Sequence, residues 1–351
     1  MKKNKFVLAL ISVTLLLIGT VDVQSNSQSV MAATQGYVKV KTKKKVRLYW
    51  VSGQHSNYYA LPNRKYSYSS KSRIGKKHLS AYKIGNNAHW ILAKDVKIVK
   101  KAKAVTYVKA QMVLPRGYNR AELLKAYEGH PSKGFIAASM QGMKANTFSR
   151  NHLAESKADN QTQVDLDNIT PEQLMTLSDF SLRLINEARN NLGLKAWVDS
   201  AGTQKLAQAI ATEYEQNGKT IKDGHYVPGI VRACQANGLN LNDNYVEDMA
   251  GFYNQKQTLS MTELKKSIYF GIKQMIFGYV GSGESDRGKR SYYQEWEHAG
   301  DLFNTQGSLH DGDYNYFGFS VSRTDDICSL HFISVPTYVV KDKKYNLSFK
   351  P

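Results

Sequence analysis

The sequence predicts an α+β protein: a helix-rich domain that closes with paired strands, preceded by a small, basic, all-β module. Three observations carry this expectation. Apolar residues recur at helical spacing in three long segments between positions 170 and 280. Two aromatic and β-branched runs, YNYFGFSVS and ICSLHFISVP, stand near the end and are separated by Arg323-Thr324-Asp325-Asp326. Residues 36 to 100 are rich in Val, Tyr, Lys and Ser and alternate with period two. Helices first and paired strands last suit a sheet covered by helices.

The chain has 351 residues, room for two or three domains. Lys2, Lys3 and Lys5 precede an apolar run to about Gly19, shorter than the ~20 residues a membrane span needs. Small residues at Ala32 and Ala33 offer a cleavage site. Residues 1–33 therefore read as a secretory signal, with no transmembrane segment left after its removal.

Charge is uneven. Between Gly36 and Ala110 there are 19 Lys and Arg against one acid, Asp95, whereas from Gln111 onward there are 26 basic and 27 acidic residues. An anionic partner is expected for the front segment, residues 36–103. An exported protein meets the phosphate-rich polymers of a cell wall, so these are the expected partner and nucleic acid is not. The two cysteines, Cys234 and Cys328, are candidates for a disulfide in an oxidising space. A bridge closing a loop of about 95 residues would contribute about 4 to 5 kcal/mol. Two free buried thiols are the alternative.

Within residues 36–103, the runs YVKVKTKKKVRLYWV and HLSAYKIGNNAHWILAKDVKIV, with a turn at Gly85-Asn86-Asn87, predict a small antiparallel sheet. Residues 104–168 read as an extension or linker: a short strand and turn in QMVLPRGYN, a helix from about Asn119, and a weakly patterned stretch with one amphipathic candidate, GFIAASMQGMKANTF. Residues 169–338 form the main domain, with 339–351 as a tail. Its first helix starts at a Thr170-x-x-Gln173 capping box with Pro171 inside. Leu177, Phe180, Leu184, Ala188 and Leu192 form its stripe, and Gly193 offers a stop. A second helix carries Leu206, Ala209, Ile210 and Tyr214, and a third carries Leu264, Ile268, Ile272, Met275 and Tyr279.

Three polar residues of this domain stand out: His225 in KDGHYVPG, Glu247 in NYVEDMAG and His298 in EWEHAGDLFN. Two imidazoles and a carboxylate suit a zinc site, or general acid/base chemistry near neutrality. A structural histidine in a Gly-bounded loop is the plainer alternative. The separations of 22 and 51 positions do not choose between these readings.

The order of motifs adds to this. LINEARNNLGLKAWVDSAGTQKLAQAIATEY, then GHY, VED, WEHAGDLFN, YNYFGFSVS and CSLHFISVP, from about Leu177 to Pro336, resembles the CAP superfamily of cysteine-rich secretory, antigen 5 and pathogenesis-related proteins. The match includes Asn186 and Arg189 of the first helix. MVLPRGYNRAELLKAY, GMKANTF and LDNITPEQL resemble its bacterial surface-exclusion branch. Residues 36–103 resemble the wall-binding repeat of surface-layer proteins of Gram-positive bacteria.

The first resemblance implies an α-β-α sandwich whose central cleft gathers two His and two Glu around a divalent cation such as zinc. His225, Glu247 and His298 match three of the four. The fourth position carries Gly271, so Glu295 or Glu297 is expected to take its place. Trp296 and Phe303 either wall an apolar pocket or pack in the core. Most members of this superfamily act by binding lipids, proteins or other ligands. The expected function is therefore a secreted, wall-retained binding protein that meets a surface protein or a lipid. A metal-dependent hydrolase of envelope peptides or esters is the alternative.

Overall fold

The computed structural model describes residues 36–84, 89–101, 107–148, 154–282 and 286–351. The expected signal, residues 1–33, and the expected turn at 85–87 lie outside them. The described residues fall into two compact units, divided between Tyr107 and Val108.

The smaller unit is one seven-stranded antiparallel sheet. Its strands are β1 (Gly36–Val40), β2 (Val46–Tyr49), β3 (His55–Ala60), β4 (Lys65–Ile74), β5 (Leu79–Ile84), β6 (His89–Leu92) and β7 (Val96–Lys101). They are ordered β3-β2-β6-β5-β4-β1-β7. Alternation in β1 buries Gly36, Val38 and Val40 and turns Tyr37 and Lys39 outward. Val38, Leu48, Tyr68, Tyr82 and Ile91 meet in the module's core. Gly53 and Gly75 have φ of 81° and 66°, and a Cβ on Gly53 would stand 2.7 Å from the Gly75 Cα, so neither turn admits a side chain.

The larger unit contains α1 (Arg120–Tyr127), α2 (Lys133–Ala145), α3 (Lys157–Gln161), β8 (Gln163–Asp165), α4 (Pro171–Asn191), β9 (Val198–Asp199), α5 (Ala201–Gln216) and α6 (Val227–Ala236). It continues with β10 (Glu247–Tyr253), β11 (Thr258–Ser260), α7 (Met261–Phe277), α8 (Glu297–Leu302), β12 (Asn315–Thr324), β13 (Ile327–Pro336) and α9 (Thr337–Lys341). The central sheet runs β10-β13-β12-β9, with β10 at its edge. Helices cover both faces. Leu177, Leu184 and Ile185 of α4, with Leu264, Ile268 and Ile272 of α7, pack on Phe317, Phe319, Leu330 and Phe332. Leu206, Ile210 and Tyr214 of α5, with Ile230 and Ala233 of α6, pack on Met249, Ile333 and Val335 of the opposite face. This is the expected α+β sandwich. Thr170 and Gln173 form the capping box that starts α4. No described helix is long and apolar enough to cross a membrane.

Three expectations need correction. The expected extension or linker, residues 104–168, is packed into the larger unit's core where it is described from Val108 onward. Phe135, Ala138 and Met143 of α2 and Tyr118 and Leu123 around α1 lie in the same core as α4 and α7. The run 110–114 forms no strand ladder; side chains satisfy its N–H groups instead. Ala110 donates to Glu155 at 2.6 Å, Met112 to Glu187 at 2.9 Å, Val113 to Asn146 at 2.9 Å and Leu114 to Asn191 at 3.1 Å. Buried Lys265 of α7 then reaches Asp159 at 3.1 Å, tying α3 down. Hydrophobic periodicity underreads such a segment because polar side chains, not a ladder, anchor its backbone.

The tail is anchored as well. Phe349 joins the α5–α6 core, and Leu347 donates to the Gly238 carbonyl at 2.9 Å. Finally, Cys234 and Cys328 form no disulfide; both are free and buried. Cys234 belongs to the core under α5 and α6, whereas Cys328 alternates with Leu330 and Phe332 onto the α4–α7 face. The sheet stands between them. Burial pushes both thiols up to about 12, so they serve as small apolar side chains.

Candidate functional site

The site lies where β10 begins. Asn244 shapes the approach: its Oδ1 accepts the Glu247 N–H at 2.9 Å, and its Nδ2 donates to the Glu247 carbonyl at 3.0 Å. Alternation then turns Glu247 to the α5–α6 face, opposite Ile333, and Asp248 to the other face, opposite Phe332. His225 arrives from a turn after α5. Thr220 and Asp223 cap that turn reciprocally, and Gly224 follows with φ 73°. His298 stands in the first turn of α8, where Glu295 Oε1 accepts the N–H groups of Glu297 at 2.6 Å and His298 at 3.2 Å.

The fold brings His225 and His298 together, with ring centroids 5.9 Å apart at an interplanar angle of 62°. Each ring is anchored through Nδ1. His225 Nδ1 lies 2.7 Å from Glu247 Oε2, and His298 Nδ1 lies 2.8 Å from Asp248 Oδ1. His225 Nε2 is left for whatever enters, and His298 Nε2 faces Glu295 Oε2 at 4.0 Å. The His225 side chain is 26% exposed and that of His298 12%, whereas Glu247 is fully covered.

Electrostatics follows from this packing. Burial would raise Glu247, but hydrogen bonds from His225 and His331, with the charge those rings carry when protonated, hold it at about 2. Burial also opposes charge on His298, yet the Glu295 and Asp248 carboxylates push it up to about 10. Asp248 is raised by burial, against its bond from His298. Asp301, half-buried and accepting from Gln306, is raised well above its usual range by desolvation and the nearby Asp248 carboxylate.

Glu247 holds two imidazoles, those of His225 and His331. Its Oε2 takes Tyr214 at 2.8 Å and His225, while its Oε1 takes His331 at 2.7 Å. Among the described residues no three His, Cys, Asp or Glu side chains form a metal-binding group. The expected residues His225, His298 and Glu247 are nonetheless brought to one place, with Glu247 bonded to His225 and the His298 ring 5.9 Å from the His225 ring. The two anchors still match the carboxylate–histidine geometry that orients a ring for a ligand on Nε2.

The other expectations sort as follows. Glu295 lies beside His298, with Oε2 4.0 Å from Nε2, while Glu297 faces solvent. Gly271 packs closely on β10: a Cβ there would stand 2.7 Å from the Ala250 Cβ, on the α4–α7 side. Trp296 and Phe303 are core residues, 1% and 0% exposed. Asn186 and Arg189 brace the domain without lining the site. Asn186 exchanges two hydrogen bonds with the Trp197 backbone, at 3.0 and 2.8 Å. Buried Arg189 donates to the carbonyls of Lys195, Leu302 and Asp313 and to Asn304 Oδ1, all at 2.7 to 2.8 Å.

Sequence reasoning missed Asp248, Tyr214 and His331. Asp248 is adjacent to a flagged residue, and period two sends it to the opposite face. His331 is the one basic side chain in ICSLHFISVP.

No protein-family model and no curated protein matches the chain. Among solved structures, the chain is similar to the CAP domain of Enterococcal PrgA, with a TM-score of 0.51 and 24% identity. The match covers 69% of this chain and 90% of that one. The fold is CAP-like. The sandwich with its paired histidines at one sheet edge is thus the CAP-like part of this protein.

Proposed function

We propose that this protein is exported, retained on the cell wall by its basic module, and acts there by binding a surface protein or lipid at the paired-imidazole site, as a surface-exclusion type protein. The observation that carries the reading is the segregation of charge: 19 basic residues against one acid between Gly36 and Ala110, beside a near-neutral remainder. Exposed aromatics on the module support contact with a polymer. Trp50 is 40% and Tyr58 58% exposed, and Lys45 and Arg47 lie over the Tyr59 ring at 4.5 and 5.4 Å. The CAP-like site favours binding over hydrolysis, because Glu247 and Asp248, the carboxylates bonded to the two imidazoles, are occupied with holding them.

The test is release from isolated walls. Raising salt from 50 to 200 mM should elute the full chain, with affinity falling by about 10³ or more if six or more phosphates are contacted. A chain lacking residues 36–103 should not bind. Retention of that truncated chain, or retention indifferent to salt, would overturn the reading.

A further inference from the structure

Glu247, His331 and Ser322 occupy three neighbouring strands, β10, β13 and β12, on one face of the sheet. Their registers are Glu247 opposite Ile333 and Ser320 opposite His331, so each of the three is the diagonal neighbour of the next. The contacts run without a gap. Ser322 Oγ is 2.7 Å from His331 Nε2, His331 Nδ1 is 2.7 Å from Glu247 Oε1, and Glu247 Oε2 is 2.7 Å from His225 Nδ1. The His331 and Glu247 side chains are both fully covered, and Ser322 is 1% exposed. Tyr214 closes the assembly. Its ring packs edge-on against His331 at 4.7 Å, its hydroxyl donates to Glu247, and it accepts the Tyr226 N–H at 2.7 Å.

We propose that His331 is a positioning residue for His225: acting through Glu247, it fixes the His225 ring with a proton on Nδ1 and the lone pair on Nε2. An ionised carboxylate only accepts, so every group on Glu247 must donate. His331 Nδ1–H satisfies Oε1, and Tyr214 and His225 satisfy Oε2. Without the His331 donor, Oε1 would be a bare anion oxygen in a dry core. The carboxylate would then rotate, take a proton or admit water, and His225 would lose its fixed acceptor. His298 provides an internal control, because its Nδ1 is held by Asp248 on the opposite face. The inference concerns how His225 is held and stands whichever ligand the site takes, so its failure leaves the wall-retention test untouched.

Long-range ¹H–¹⁵N spectra of the ¹⁵N-labelled full chain at pH 8, where an ordinary imidazole is neutral, read the ring tautomers directly. Wild-type His225 and His331 should each show protonated Nδ1 and unprotonated Nε2. In His331→Leu, His225 should lose its single tautomer while His298 is unchanged. In His331→Asn, whose amide nitrogen occupies the Nδ1 position, His225 should recover it. A folded His331→Leu protein with an unaltered His225 ring would overturn the proposal, as would an Asn variant that behaves like Leu. If the Leu variant does not fold, the wild-type spectrum still decides: a His331 proton found only on Nε2 breaks the relay.

Discussion

Replacing Glu247 by Gln should change how the protein responds to acid more than any other single polar substitution at the site. The carboxyl falls from an ordinary value of 4.5 to about 2 in the folded protein. That gap, at about 1.4 kcal/mol per unit, corresponds to about 3 kcal/mol of stability. The folded-state value is the depressed one. The contribution is therefore complete above pH 4.5 and is lost as the pH falls toward 2. Gln at this position never ionises, and its amide sets a donor against three groups that must themselves donate. The variant should be less stable than wild type by about 3 kcal/mol at pH 7, and the difference should shrink to within about 1 kcal/mol near pH 2. Urea unfolding followed at 222 nm suits the measurement, because all the described α-helices lie in the larger unit. Subtracting the two curves removes the titration of every other carboxylate. Curves that stay parallel from pH 7 to pH 2 would refute the reasoning, and would mean that the cage around Glu247 does not hold its charge.

The alkaline side should be governed by His298, whose folded-state value is raised from 6.5 to about 10. Its contribution is complete below pH 6.5 and is lost between pH 6.5 and 10, so His298→Ala should flatten the stability curve in that window. Arg189→Ala should cost about 3 to 5 kcal/mol in urea, since it abandons three buried carbonyls and Asn304. Gly271→Glu should lower stability, because its Cβ meets Ala250 at 2.7 Å. Reductant should leave the melting temperature unchanged, and Cys234 and Cys328 should react with a thiol reagent only after unfolding.

The elements that depend on one local pattern were legible in the sequence. The Thr170–Gln173 capping box, the stripe from Leu177 to Ala188 and the hairpin of β12 and β13 each declare themselves within one short continuous stretch. The segment before Thr170 did not, because its stabilising partners are distant. Glu155 serves Ala110 and Arg183, and Asn146 serves Val113 and accepts nothing from a regular ladder. His331 was hidden for a different reason. β13 is buried on both faces, which turns its sequence into a near-continuous apolar run and erases the alternation that marks a half-buried strand.

The site itself shows why spacing was silent about its chemistry. Glu247 and Asp248 are consecutive, yet they grip two histidines that are 73 positions apart in the chain. Consecutive residues of a strand point to opposite faces, and in the middle of a sheet they would address separate layers. β10 is an edge strand. At its open side the two faces meet, so the ring held from one face by Glu247 and the ring held from the other by Asp248 come within 5.9 Å of each other. The pairing of imidazoles is thus a property of where this strand sits in the sheet, and a substitution that moved β10 inward would separate the rings without touching either histidine.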